Sequence, residues 1–166
     1  KTARALLRLA GDSVVPCSVK GGSFHPKLLV LEFRSLQKAK MKSHHRVVVA
    51  TRNLTTDNSW DSVVVLEEDP KGTLIDGLGE AVADLARFVN ARSHPAINRC
   101  RKYGSVLKSI KFQPPRGLEK LEVRLFWPGS GNAKMIKSQI QGEDLLVISP
   151  FVRQGFLDEL ALHADG

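Results

Sequence analysis

Ser23-Phe24-His25-Pro26-Lys27-Leu28-Leu29-Val30-Leu31-Glu32-Phe33 and Arg46-Val47-Val48-Val49-Ala50-Thr51-Arg52-Asn53-Leu54-Thr55 are the two segments on which the reading of this chain turns. Each joins a short apolar run to a polar cluster at one end. Leu28 to Phe33 and Arg46 to Ala50 have the length and Val/Leu content of buried strands, and Ser62 to Glu67 repeats the pattern. Residues two apart on a strand project from one face, so His25 and Lys27 are expected to point together while Pro26 faces away. An imidazole beside an ammonium suits attack on phosphate. The Thr-Arg-Asn-Leu-Thr turn that ends the second run offers an amide and hydroxyls to anionic oxygens presented by a neighbouring strand end.

Outward from these segments, Leu78, Ala81, Val82, Leu85, Ala86 and Val89 fall on one face at helical spacing, predicting a helix over Asp76 to Arg92 with Asp76 as N-cap. A weaker helical pattern covers Ala96 to Ile110 and is expected to break at Gly104. Gln113-Pro114-Pro115-Arg116-Gly117 can continue neither a helix nor a central strand and reads as a linker. Beyond it, Leu121 to Trp127 reads as a strand, Pro128 to Asn132 as a turn and Leu145 to Ser149 as another buried strand. Pro150 then opens a last helix. Strands alternating with helices define an α/β class, with a mixed sheet as compatible as a parallel one.

The 166 residues are 42% hydrophobic, enough for a sizeable core, and 25 Lys and Arg against 17 acids leave a formal charge of +8. Such a surface attracts polyanions: nucleic acid or anionic headgroups. Cys17 and Cys100 form no CxxC, which predicts reduced thiols and an intracellular, cytoplasmic protein. No apolar run approaches a membrane span, and the first residues lack a signal peptide's pattern, so no membrane insertion is expected. The absence of an initial Met and the stop just after a helix read as an excised piece of a longer protein. Pro128 to Lys134 lacks the Gly-Lys-Ser or Gly-Lys-Thr of a phosphate-binding loop and reads as a turn. His94 near Cys100 lacks further zinc ligands and reads as structural.

The combined pattern resembles the phospholipase D superfamily, whose motif is His-x-Lys, four residues, Asp, then Gly-Ser-x-Asn. His25-Pro26-Lys27 matches its first part, Glu32 stands at the Asp position, and Ala50-Thr51-Arg52-Asn53 replaces Gly-Ser-x-Asn. The longer interval from Lys27 to Asn53 is similar to that of tyrosyl-DNA phosphodiesterases, which require no acid between the two. Asp144 to Val152 looks like the strand and helix that open each half of two-lobed members. The resemblance implies a phospholipase-D-like sandwich, a mixed sheet flanked by helices in an incomplete two-lobed protein. Residues 1–113 would be the C-terminal part of the first lobe, 114–120 a linker and 121–166 the start of a truncated second lobe.

The same resemblance implies a metal-free and cofactor-free phosphodiesterase working through a phosphohistidine. His25 would be the nucleophile, and Lys27 and Asn53 the donors to nonbridging oxygens, with Thr51 as an extra donor. Glu32 would orient His25 if it reaches the distal ring nitrogen. A second His, from the other lobe or a homodimer mate, would protonate the leaving oxygen.

The stretch from Arg34 to Arg46 has no acid, and Arg34, Lys38, Lys40, Lys42 and Arg46, with Arg52, are expected to contact nucleic acid, with DNA the favoured substrate. That stretch reads either as a phosphate-tracking arm beside the site or as a solvated loop. A second basic cluster, Arg99, Arg101, Lys102, Lys108 and Lys111, surrounds Tyr103, which could stack on a base. The alternative functions are a noncatalytic nucleic-acid-binding scaffold of this fold, or an enzyme of phospholipid headgroups.

Overall fold

The computed structural model describes residues 14–36, 43–52, 62–90, 94–118, 120–127, 130 and 154–164. The chain forms two compact units, Lys1–Leu125 and Phe126–Gly166. In the first, strands β1 (Leu28–Arg34), β2 (Ser43–Ala50), β3 (Val63–Leu74) and β4 (Lys111–Gln113) make a sheet in the order β1-β2-β3-β4. All three pairings are antiparallel. The only parallel pairing among the described residues is an isolated bridge between Asp76 and Glu122. The described sheet is therefore antiparallel where the sequence favoured a mixed or parallel one. Strands β1, β2 and β3 follow one another directly in the described chain, whereas the helices within residues 78–107 lie between β3 and its antiparallel neighbour β4.

Register decides which residues enter the core. Val30 pairs with Val47 and Val47 with Leu66, so Leu28, Val30, Val47, Val49, Val64 and Leu66 share one face. Onto that face pack helix α1 (Leu78–Asp84), through Leu78 and Val82, and helix α2 (Pro95–Leu107), through Leu107. Val47, Leu66, Leu78, Leu107 and Phe112 are fully buried. Each such side chain contributes about 1.5–3 kcal/mol relative to exposure. The opposite face leaves Phe33, Val63 and Val65 exposed.

Several elements differ from the sequence reading. The helix expected from Asp76 begins at Leu78 behind Gly77, whose φ of 71° is costly for any residue with a Cβ. Asp76 instead accepts the Val123 N–H at 2.8 Å. The helix tightens into a 3-10 turn at Leu85–Phe88, and Val89 is already extended. In contrast, α2 runs through Gly104 without a break. Gly79 and Gly104 face each other, and a Cβ built on either would lie 2.5–2.6 Å from the other's carbonyl oxygen. The glycine is there for helix–helix approach, not termination. His94 caps α2, its Nδ1 accepting the Ala96 N–H at 3.1 Å, a structural role as expected.

Strand β3 runs past the expected end at Glu67 to Leu74, with a register shift opposite β4 between Glu68 and Thr73. Leu121 and Val123, read from sequence as opening a second lobe, pack against the core of the first unit. In the second unit, helix α3 spans Gln154–Ala164. The strand expected at Leu145 to Ser149 lies outside the described residues.

Candidate active site

His25 is held from both sides along the chain. Before it, Phe24 packs on Phe88 with ring centroids 5.6 Å apart, the Ser18 N–H donates to Phe88 O at 2.9 Å, and Cys17 bridges Val89. After it, the Lys27 carbonyl accepts the Ala50 N–H at 3.0 Å, extending the β1–β2 ladder by one rung. The start of β1 and the end of β2 thus lie side by side at one end of the sheet. This is the juxtaposition that the two quoted segments require.

Lys27 folds its ammonium onto the His25 ring, contacting Nδ1 and lying 3.1 Å from Nε2, and donates to the His25 carbonyl at 3.3 Å. An ammonium has only donors, so the ring nitrogen it faces accepts, and that lone pair is what a nucleophile uses. His25 is exposed and Lys27 half-buried, so the pair can be reached from solvent. An incoming phosphate offers Lys27 a charged acceptor, which frees the ring nitrogen.

Thr51 follows directly at the end of β2. Its N–H donates to Ser62 O at 3.0 Å and its Oγ1 accepts the Ser62 N–H at 3.1 Å, closing the neck of the segment between β2 and β3. A threonine hydroxyl can donate as well as accept. Arg52 is half-buried beside it. Asn53 lies outside the described residues, as do Trp60, Asp61 and the lysines Lys38, Lys40 and Lys42.

The expectation that Glu32 orients His25 is corrected. Five residues of extended strand put Glu32 roughly 16 Å beyond Lys27, and its carboxylate is engaged elsewhere. Arg34 donates to both of its oxygens at 3.0 Å and the Tyr103 hydroxyl donates at 2.7 Å. The Arg34 guanidinium first, then the Tyr103 hydroxyl, hold the Glu32 carboxyl at about 2, well below its ordinary 4.5. Tyr103 is half-buried against the core, so it is not a free stacking platform within the second basic cluster.

Of the basic segment after β1, residues 37–42 lie outside the described residues, and the structure describes the strand ends from which it departs. Leu28 pairs with Val49 near the site, whereas Arg34 pairs with Ser43 at the other end of the hairpin. The strand ends from which that segment departs therefore lie away from His25 and Lys27. An antiparallel hairpin necessarily separates its loop from its open ends. Arg46 Nε is buried 2.5 Å from Glu67 Oε1 but outside hydrogen-bond geometry, a Coulombic contact, and its guanidinium carbon lies 5.5 Å from the Phe33 ring centre. Arg34 and Arg46 thus neutralise carboxylates of this chain.

One polar pair was missed from sequence. His45 is 5% exposed and its Nδ1 donates to Glu68 Oε2 at 2.7 Å, an oxygen that also accepts the His45 backbone N–H at 2.7 Å. The adjacent His44 Nε2 meets Glu67 at 3.0 Å on the opposite face. The register pairs Glu67 with Arg46, and His44 and His45 reach Glu67 and Glu68 through their side chains; the His44-His45 and Glu67-Glu68 doublets carry that signal. Cys17 and Cys100 are free, and burial pushes both thiols above their ordinary value.

No protein-family model matches the chain, and no curated protein or solved structure matches it either.

Proposed function

We propose that His25, Lys27 and Asn53 form one half of a phospholipase-D-like phosphodiesterase site that acts on nucleic acid, within a two-lobed sandwich or a homodimer that supplies the second half. The reading is supported by one observation above the others: the Lys27 ammonium against the His25 ring, at the sheet end where β2 delivers Thr51 and Arg52. A His25 ring nitrogen attacks phosphorus, forming a P–N bond as the bond to the leaving oxygen breaks. That oxygen takes a proton from the second His. Water then attacks the phosphohistidine, passing its proton to the second His as the P–N bond breaks, and both rings return to their starting state. Lys27 and Asn53 donate to the nonbridging oxygens, and Thr51 adds a donor at the rim.

The substrate follows from charge. A surface of net +8 and a phosphate-directed half-site both favour a polyanion, of which DNA is the first candidate. A second reading, a scaffold that binds without catalysis, is favoured by the engagement of Glu32 away from His25. One experiment separates them. The assembled protein is incubated with a DNA substrate carrying ³²P at the scissile phosphate and quenched in base. An acid-labile, base-stable protein label that disappears in His25→Ala supports the phosphodiesterase. No label, with DNA binding retained, leaves the scaffold.

A further inference from the structure

We propose that the solvent face of α2 is a separate docking surface for the phosphate backbone of nucleic acid, contacted through Arg99, Arg101 and Lys102. The first observation is its orientation. Gly104 and Leu107 are buried and Tyr103 is half-buried, and the Gly79–Gly104 approach fixes the helix against α1. Asn98, Arg99, Arg101, Lys102 and Ser105 therefore stand in solvent, with Lys108 one turn further on. No Asp or Glu occurs from Pro95 to Gln113.

The second observation is a contrast in pairing. Arg34, Arg46, Arg87, Lys108 and Arg124 each meet a carboxylate: Glu32, Glu67, Asp84, Glu80 and Glu122. Arg99, Arg101 and Lys102 take part in no ion pair among the described residues. Arg99 and Lys102 are three apart on a helix, where like charges repel. A surface that leaves this repulsion uncompensated gains most from a ligand with closely spaced negative charges.

The chemistry of the face selects the polyanion. An anionic membrane would be bound by a helix with apolar side chains free to insert, and the apolar side of α2 is packed into the core. Two planar guanidinium forks match phosphate oxygens. With its inner face occupied, α2 can lie against a backbone without reading base edges, so the contact is independent of sequence. This proposal shares with the proposed function only the choice of polyanion; it holds equally if the half-site does no chemistry.

The test compares the intact protein with the triple variant Arg99→Gln, Arg101→Gln, Lys102→Gln, which keeps good helix formers at exposed positions. A control triple, Lys71→Gln, Arg116→Gln, Lys120→Gln, lowers the net charge equally at other exposed sites. Circular dichroism checks that each remains folded. Binding of a short mixed-sequence DNA duplex is then followed over a range of salt. The expected result is a log–log salt slope shallower by roughly two to three for the α2 variant, with a much smaller change for the control. His25→Ala should retain the full slope, so loss of chemistry and loss of this surface are read separately. Equal slopes for the two triples would overturn the proposal, as would absence of DNA binding by the intact protein. Binding to phosphatidylserine vesicles but not to DNA, lost in the α2 variant, would overturn it in favour of a membrane.

Discussion

Tyr103 donates a 2.7 Å hydrogen bond to Glu32, tying α2 to the edge strand β1. The same carboxylate holds Arg34, so one acid joins a helix and a strand that share no backbone hydrogen bonds. Its depressed pKa gives the acid limb of stability a defined sign. The contribution of Glu32 is fully present above about 4.5 and is lost as pH falls toward about 2. Denaturant unfolding across that interval should show a steeper acid loss in the native chain than in Glu32→Gln. Tyr103→Phe should move the Glu32 carboxyl upward in an NMR titration; an unchanged titration would assign the effect to Arg34 alone.

Gly104→Ala is expected to destabilise although alanine is the better helix former by about 1 kcal/mol. The added methyl meets Gly79 O at 2.6 Å and Ala83 Cβ at 2.7 Å, and relieving that overlap forces α1 and α2 apart. The net cost should be about 1–3 kcal/mol, read as a lower urea midpoint. A neutral or stabilising result would mean that the two helices can separate freely.

Removing the Glu68 carboxylate leaves the buried His45 ring and its backbone N–H without the acceptor they share. Glu68→Ala should therefore cost about 1–3 kcal/mol. Glu67→Ala, whose partners His44 and Arg46 keep 49% and 42% of their side chains in solvent, should have a clearly smaller effect. Equal unfolding midpoints for the two variants would contradict this assignment.

In the assembled protein, Lys27→Ala should reduce turnover of a phosphodiester by on the order of 10²–10³, the scale of removing one preorganised donor. Substrate binding should weaken less. Turnover by the unaltered protein should persist in excess EDTA. Strict dependence on added metal would refute the proposed mechanism.

The strands β1, β2 and the first half of β3 were legible because Val and Leu runs of strand length are bounded by polar residues. The remainder of β3 was not, since Asp69-Pro70-Lys71-Gly72 reads locally as a turn. In the fold these residues occupy the register shift opposite β4, where an absent N–H at Pro70 is tolerated. Gly72 lies so close to the Phe112 backbone that a Cβ would overlap it. Strand β4 is three residues long, too short for alternation to show, yet it carries fully buried Phe112. At the site, His25 and Lys27 precede β1, which begins at Leu28, so their contact comes from the Lys27 side chain folding back over two residues and not from strand alternation. The partners of Glu32 were invisible, because Tyr103 is 71 residues away in sequence and only tertiary packing joins them.

The hairpin also sets a ruler for any ligand. From Leu28 beside the site to Arg34 at the far end, β1 covers seven residues, roughly 20 Å. Duplex DNA advances about 3.4 Å per base pair. A duplex reaching from the His25 end to the roots of the basic segment would need about six base pairs lying along the strand. Shorter oligonucleotides could engage one end or the other, not both. If the proposed function holds, the antiparallel register sets a minimum length for any duplex that engages both ends.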